Sequence, residues 1–276
     1  MSQTMTVPVS KSTRIVGDRS LDVAELEVIN FERITAKDPV EMAKLLKAAE
    51  SPGFFFFSFD DDLSGKISEY IRTCYLNCNE YFAKPLDEKM KEFREDVDRG
   101  YKYKPGFESF EIARDEQHSI TLPTPFAAHA GATNDLIDIC ETIVRTCLRS
   151  LSSSLGLGGS SHLENAHPPG GPSDSGLKFV SSPTHTYMAD APDTTHTDGG
   201  SVTLLWCEKW ASKLQTQENK EWLWIEPKRG CVLVNIANYL QNQTGGRLHS
   251  PFHRVTQPND GVEDRYFVSY FLRPSC

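Results

Sequence analysis

Two rhythms of apolar residues divide the chain. LEVINF, residues 26–31, alternates as a strand does. DPVEMAKLLKAAE (38–50) then gathers Val40, Met42, Ala43, Leu45 and Leu46 on one helical face. Asp38 stands as N-cap, Pro39 at the first helical position and Glu41 three residues after the cap, which together mark a helix start. SPGFFFFSF (51–59) is continuous, short and opened by Pro52 and Gly53, the pattern of a buried strand. Helical spacing returns from Leu63 to Phe82, and Pro85 separates that helix from a charged one in the segment that ends EKMKEF. A long helix is predicted from about Asn134 to Leu155, with Leu136, Cys140, Ile143, Cys147, Leu148 and Leu151 on one core-facing stripe.

After a Gly/Ser/Pro-rich loop the character changes. LKFV, SVTLLW, LWIEP, CVLVNIA, HRVTQP and YFVSYFL follow at close intervals, separated by Gly, Asn, Pro and charged turns, with no helix-length pattern among them. This spacing predicts an antiparallel sandwich or barrel. The expected layout is a polar, loosely packed arm over 1–25, a helical region with a few strands over 26–155, the loop over 156–176, and a β core over 177–276, all within one structural domain. The fold class is therefore α+β, mainly β.

Composition narrows the function. A net charge of −9 over 276 residues argues against a nucleic-acid surface, which needs clustered Lys and Arg. The seven cysteines are scattered, odd in number and lack any C-x-x-C pair, so they read as reduced thiols, with Cys74 and Cys78 as core residues. No apolar run approaches 18 residues and the first twenty residues hold no apolar signal core, so no membrane span and a cytoplasmic location are expected.

The candidate chemistry begins at THTDGG (195–200), directly before SVTLLW. In extended chain His196 and Asp198, at i and i+2, point to one side, which lets both reach one metal. His-x-acid alone is weak, because the loop holds a second example, His162 and Glu164. The third ligand is assigned to His253 in HSPFHRV, at the start of another strand. Two imidazoles and one carboxylate on one face leave positions open for co-substrate and O2, the arrangement of non-haem Fe(II). The H-E-x-x-H helix of zinc hydrolases is absent. Arg265, in RYFVSYFLRP, is either a surface arginine at a strand start or, pointing into a β interior, a buried charge that must meet an anion, which together with the three ligands makes it a candidate anchor for a dicarboxylate co-substrate.

On these residues the chain resembles the Fe(II)/2-oxoglutarate-dependent dioxygenases of the isopenicillin N synthase-like superfamily, over roughly residues 26–274. SPGFFFFSF resembles the family's Gly-Phe-Phe strand, YFAKPLDEKMKEF its aromatic-Pro-Leu helix, GYKYKPGFESFEIARD its acidic-aromatic strand, and HTDGGSVTLLW its first ligand pair. VNIANYLQNQTGGRLHSPFHRV resembles the block leading to the last ligand. The resemblance implies a distorted double-stranded β-helix (jelly-roll) core flanked by N-terminal helices, with His196, Asp198 and His253 as iron ligands and Arg265 on the far carboxylate of 2-oxoglutarate. Fe(II), 2-oxoglutarate and O2 are the implied cofactors.

Three departures stand out. The family's Arg-x-Ser is here Arg265-Tyr266-Phe267, with Ser269 the next serine of the same parity. The family's tyrosine before the first ligand is matched by Ser182, with Tyr187 as a substitute. The family's C-terminal helix has no counterpart after FLRPSC, so the pocket is expected to be open, or closed by the 156–176 loop or another subunit. Tyr101, Phe107, Tyr187, Trp206 and Phe271 are the expected aromatic lining for a small organic substrate, with Arg114 or His118 as polar anchors. The expected reaction is oxidation of an unactivated C–H bond in secondary-metabolite biosynthesis, by hydroxylation, desaturation or ring rearrangement. The competing readings are an iron oxidase of the same fold that does not use 2-oxoglutarate, and a non-catalytic jelly-roll binding module, which has no need of three metal ligands.

Overall fold

The computed structural model describes residues 9–95, 98–104, 107–158, 162–170, 172–182, 195–216, 219–258, 260, 262 and 265–275. Two sheets carry the architecture. The larger has eight strands, in spatial order β3 (Val28–Asn30), β4 (Phe54–Ser58), β11 (Cys231–Ile236), β8 (Val202–Trp206), β13 (Tyr266–Leu272), β7 (Gly176–Ser181), β6 (Phe107–Ala113) and β5 (Gly100–Lys104). The smaller runs β1 (Lys11–Val16), β2 (Arg19–Ala24), β10 (Trp222–Trp224), β9 (Ser212–Gln215) and β12 (His253–Val255). The first half of the chain supplies the helices α1 (Phe31–Thr35), α2 (Pro39–Glu50), α3 (Asp61–Phe82), α4 (Leu86–Lys89) and α5 (Ala130–Ser154).

Strand alternation explains how both faces of the large sheet are used. In β4, Phe55 and Phe57 join the main core with residues of α2, α3 and α5. Phe54 and Phe56 face the other way and pack with Leu214, Leu223, Ile225 and Leu233 between the two sheets. The predicted α5 stripe, Leu136 to Leu151, is fully buried against the outer face, each such side chain contributing about 1.5–3 kcal/mol on leaving water. The result is a distorted jelly-roll core with helices on one side.

Local signals act largely as predicted. The Asp38 carboxylate accepts hydrogen bonds from the N–H groups of Val40 and Glu41 at 2.9 and 3.0 Å, capping α2. Glu41 does not close a capping box; its Oε1 accepts from the Asn30 N–H at 2.8 Å and pairs with Lys44. Residues 11–24, expected within a loose arm, form a hairpin that joins the small sheet through parallel pairing of Val23 with Trp224. That pairing is tertiary, so the polar local sequence does not announce it. The short β9 and the six-residue α6 (Asn238–Gln243) are also additions to the expected all-β second half. Cys74, Cys78, Cys140 and Cys147 are buried and unpaired, and burial pushes their thiols up, those of Cys74 and Cys147 to about 12. Among the described residues no helix is long and apolar enough to cross a membrane.

Candidate metal centre

Ladder register lays the inner face of the large sheet out in rows. One row runs Phe54, Asn235, Thr203, Phe271, Gly176 and Ala113 across β4, β11, β8, β13, β7 and β6. His196 and Asp198 lie just before β8, and His253 opens β12 opposite. The two histidines form an antiparallel bridge in which each N–H donates to the other's carbonyl at 2.9 Å. Their rings come within 4.3 Å, centroid to centroid.

His196, Asp198 and His253 each offer one ligand atom, and these atoms all lie within 4.8 Å of one another. Asp198 Oδ1 is 3.5 Å from His196 Nε2 and 3.6 Å from His253 Nε2. The other carboxylate oxygen, Oδ2, accepts from Thr203 Oγ1 at 2.6 Å and Asn235 Nδ2 at 2.9 Å. Oδ1 is thereby aimed at the two imidazoles, and the carboxylate is fixed before any metal arrives. His253 Nδ1 lies 3.1 Å from the Pro251 carbonyl. An Nδ1–H donated there leaves the Nε2 lone pair facing Asp198. Phe54 meets the His253 ring edge-on at 5.5 Å.

Burial on its own pushes the Asp198 carboxyl up, but hydrogen bonding and charge from His196, His253, Thr203 and Asn235 outweigh it and hold the group well below the usual carboxylate range. Burial pushes His253 down, only partly offset by Asp198, so its ring is neutral. A charged carboxylate and an unprotonated imidazole are the forms that bind a divalent cation. The second His-x-acid is elsewhere: Glu164 is held by Arg149 at 2.6 Å, beside α5.

Arg265 is fully buried. Its guanidinium pairs with Asp260 and donates to the Trp210 carbonyl at 2.7 Å, while Nε has no partner among the described residues. The anion beside it is thus a side chain of this protein. Phe267, where the family has serine, packs with Val180 and Ala211. Ser269 shares the inner face with Arg265, and Ser182 accepts from Gln257 Nε2 through both its carbonyl, at 2.6 Å, and its hydroxyl, at 3.1 Å. Gln257 Oε1 is buried without a partner among the described residues. A small pocket of about 30 Å³ lies between the sheets, walled by Phe56, Leu205, Cys207, Lys209, Ala211 and Leu233 among others. Tyr187 lies outside the described residues.

The expected substrate lining divides by strand parity. Phe271 and Phe107 are on the inner face. Tyr101 and Trp206 are not: both are buried in the helix-side core, Tyr101 with its hydroxyl donating to Glu108 at 2.6 Å. Arg114 faces Glu141 and the Pro168 carbonyl, and His118 contacts Gln117 and Asn134, so neither reaches the metal face. The loop expected as a cover is tied to the end of the sheet, where His167 contacts Ser201 Oγ at 3.0 Å and the Arg273 carbonyl at 3.1 Å. Thr203 and Asn235 were not foreseen as supports; their one signal is inward parity on the strands flanking the ligand pair.

Fold and centre together define a non-haem iron oxygenase. The sequence profile of the 2OG-Fe(II) oxygenase superfamily matches residues 179–274. A 2-oxoglutarate-dependent dioxygenase of Gibberella zeae, FG08081, is 28% identical over 279 residues, covering 96% of this chain and 84% of that one. The 2-oxoglutarate-dependent dioxygenase iboH of Amanita muscaria is 36% identical over 145 residues, 51% of this chain and 70% of its own length. In three dimensions a C-terminally truncated protein of Neurospora crassa, solved in its apo form, superposes with a TM-score of 0.75 at 19% identity, over 91% of this chain and 95% of that one. The chain belongs to the 2OG-Fe(II) oxygenase superfamily and is a 2-oxoglutarate-dependent dioxygenase that uses Fe(II), 2-oxoglutarate and O2.

The residues present fit those groups. Two imidazole nitrogens and a charged, pre-aimed carboxylate oxygen suit Fe(II). A buried guanidinium whose Nε has no partner among the described residues suits a dicarboxylate.

Proposed function

We propose that this dioxygenase oxidises a C–H bond of a small organic molecule, with His196, Asp198 and His253 as the iron ligands. The observation that carries this reading is Asp198, whose Oδ2 is occupied by Thr203 and Asn235 while Oδ1 faces both Nε2 atoms. When bound, Fe(II) with 2-oxoglutarate and O2 supplies the oxidising power, yielding succinate, CO2 and oxidised substrate. Asp198 contributes one negative charge to the cation, and the Pro251 carbonyl keeps His253 in the tautomer that donates through Nε2. Arg265 is assigned to the far carboxylate of 2-oxoglutarate, displacing Asp260 from its guanidinium. With Phe267 at the serine position, Ser182 and Ser269 are the hydroxyls left to assist.

A small-molecule substrate is supported by the solved structures of the full-length Neurospora crassa protein, which hold alpha-KG with thymine or 5-formyluracil in a fold of the same kind. The natural-product role rests on the family resemblance alone, and the choice between hydroxylation, desaturation and rearrangement follows the substrate. The test is substrate-dependent conversion of 2-oxoglutarate to succinate by the iron-loaded protein across a panel of small organic molecules. Stoichiometric succinate and oxidised product support the reading; O2 consumption without succinate contradicts it.

A further inference from the structure

The inner face of the large sheet is mostly apolar where it meets the small sheet, and beyond β13 it carries a pair of charged side chains. The row next to the metal supports runs Phe56, Leu233, Leu205, Ser269, Lys178, Glu111 and Gly100. Its second half therefore places Lys178 and Glu111 side by side on the face that carries Thr203 and Phe271. Arg273 follows two residues after Phe271 and closes the group. Its guanidinium pairs with Glu111, and Lys178 Nζ is 3.4 Å from Glu111 Oε2. Both cations flank one aromatic ring: Lys178 Nζ is 5.9 Å and Arg273 Cζ 4.8 Å from the centroid of Phe271.

Three features separate this cluster from an ordinary ion pair. The carboxylate is sealed, at 1% side-chain exposure, whereas Lys178 and Arg273 keep 18% and 20%. Among the described residues the two cations share this one anion, leaving about one positive charge on a largely desolvated wall, although Arg273 also donates to the Asp174 carbonyl. The position is also close to the proposed centre. Phe271 is paired with Thr203, which holds Asp198, and a Cβ on Gly200 would lie 3.3 Å from Arg273 Cγ. Lys178 is two strands from β8, about 10 Å laterally.

We infer that Lys178 and Arg273, braced by Glu111 on either side of Phe271, anchor a carboxylate of the substrate, so that the substrate class is a small monoanionic organic acid with an apolar body. This rests on the proposed reading of the metal centre. Net charge matches a singly charged acid, the guanidinium and ammonium supply charge-assisted hydrogen bonds, and Phe271 supplies the apolar contact. Arg265 lies six residues before Phe271, just ahead of the same strand, so co-substrate and substrate acids would meet separate cations. An acid held here would place the carbons next to its carboxylate between the anchor and Asp198.

The test uses the full chain, loaded anaerobically with Fe(II) and 2-oxoglutarate so that no turnover occurs, then titrated calorimetrically with phenylacetate and 3-phenylpropionate, each beside its primary amide. At least one acid is expected to bind about tenfold or more tightly than its amide, the effect of one charge-assisted hydrogen bond. Lys178→Met and Arg273→Met should each abolish that preference, and Glu111→Gln should widen it. Lys178→Met decides the matter if Arg273→Met does not fold, because it removes a partly exposed ammonium and keeps the apolar stem. Equal binding of acid and amide, no binding of either acid, or an undiminished preference in Lys178→Met overturns the inference. Iron and 2-oxoglutarate uptake are recorded in the loading step, so a failed centre is distinguished from a failed anchor.

Discussion

At the scale of single residues, the carboxylate of Asp198 is the best-defined group in the proposed centre. Thr203 and Asn235 hold one oxygen and leave the other to the imidazoles. Thr203→Val keeps the shape and removes the shorter of those bonds; Fe(II) affinity is expected to fall roughly ten- to hundredfold in anaerobic titration with little change in melting temperature. Asp260 competes for Arg265, so Asp260→Asn is expected to lower KM for 2-oxoglutarate, and Arg265→Met to raise it with kcat less affected, by steady-state kinetics. The three proposed ligands could be picked out in the sequence because His196 and Asp198 are neighbours at strand spacing and His253 stands in its own block. Asp260, Thr203 and Asn235 were not given these roles, because their parts depend on which side chains folding brings opposite one another.

At the scale of elements, the strands and long helices were legible from periodicity, and the exceptions have definite causes. Periodicity identifies a strand but not which of its faces meets the helices, and so Tyr101 and Trp206 were expected at the pocket although they belong to the opposite face. The Lys178, Glu111 and Arg273 group comes from three segments far apart in sequence and exists only through register. The turn into β4 sets the path of the segment leading to His253. Gly53 has φ +82°, and a Cβ there would lie 2.1 Å from the His249 carbonyl oxygen. Gly53→Ala must therefore move the backbone four residues before a proposed ligand. A loss of at least about 2 kcal/mol in urea unfolding is expected, with weakened iron uptake, since left-handed strain alone is worth about 1–3 kcal/mol.

At the scale of the whole molecule, two sheets and a helical layer stabilise a fold whose stability depends on keeping certain histidines neutral. Burial, with a smaller effect from Lys220, pushes His249 down to about 4, and burial pushes His167 down as well. The unfolded chain, with histidines near 6.5, then binds more protons than the native protein between pH 6.5 and about 4. The His249 contribution is full above pH 6.5, declines as pH falls and is lost below about 4; His249→Gln should flatten that slope in urea unfolding of the metal-free protein. The central claim is that His196, Asp198 and His253 together hold one Fe(II), and anaerobic calorimetric titration of the parent and of Asp198→Ala tests it most directly. One Fe(II) per chain in the parent and none in a folded Asp198→Ala is the predicted result. Equal uptake by both, or none by the parent, would contradict it.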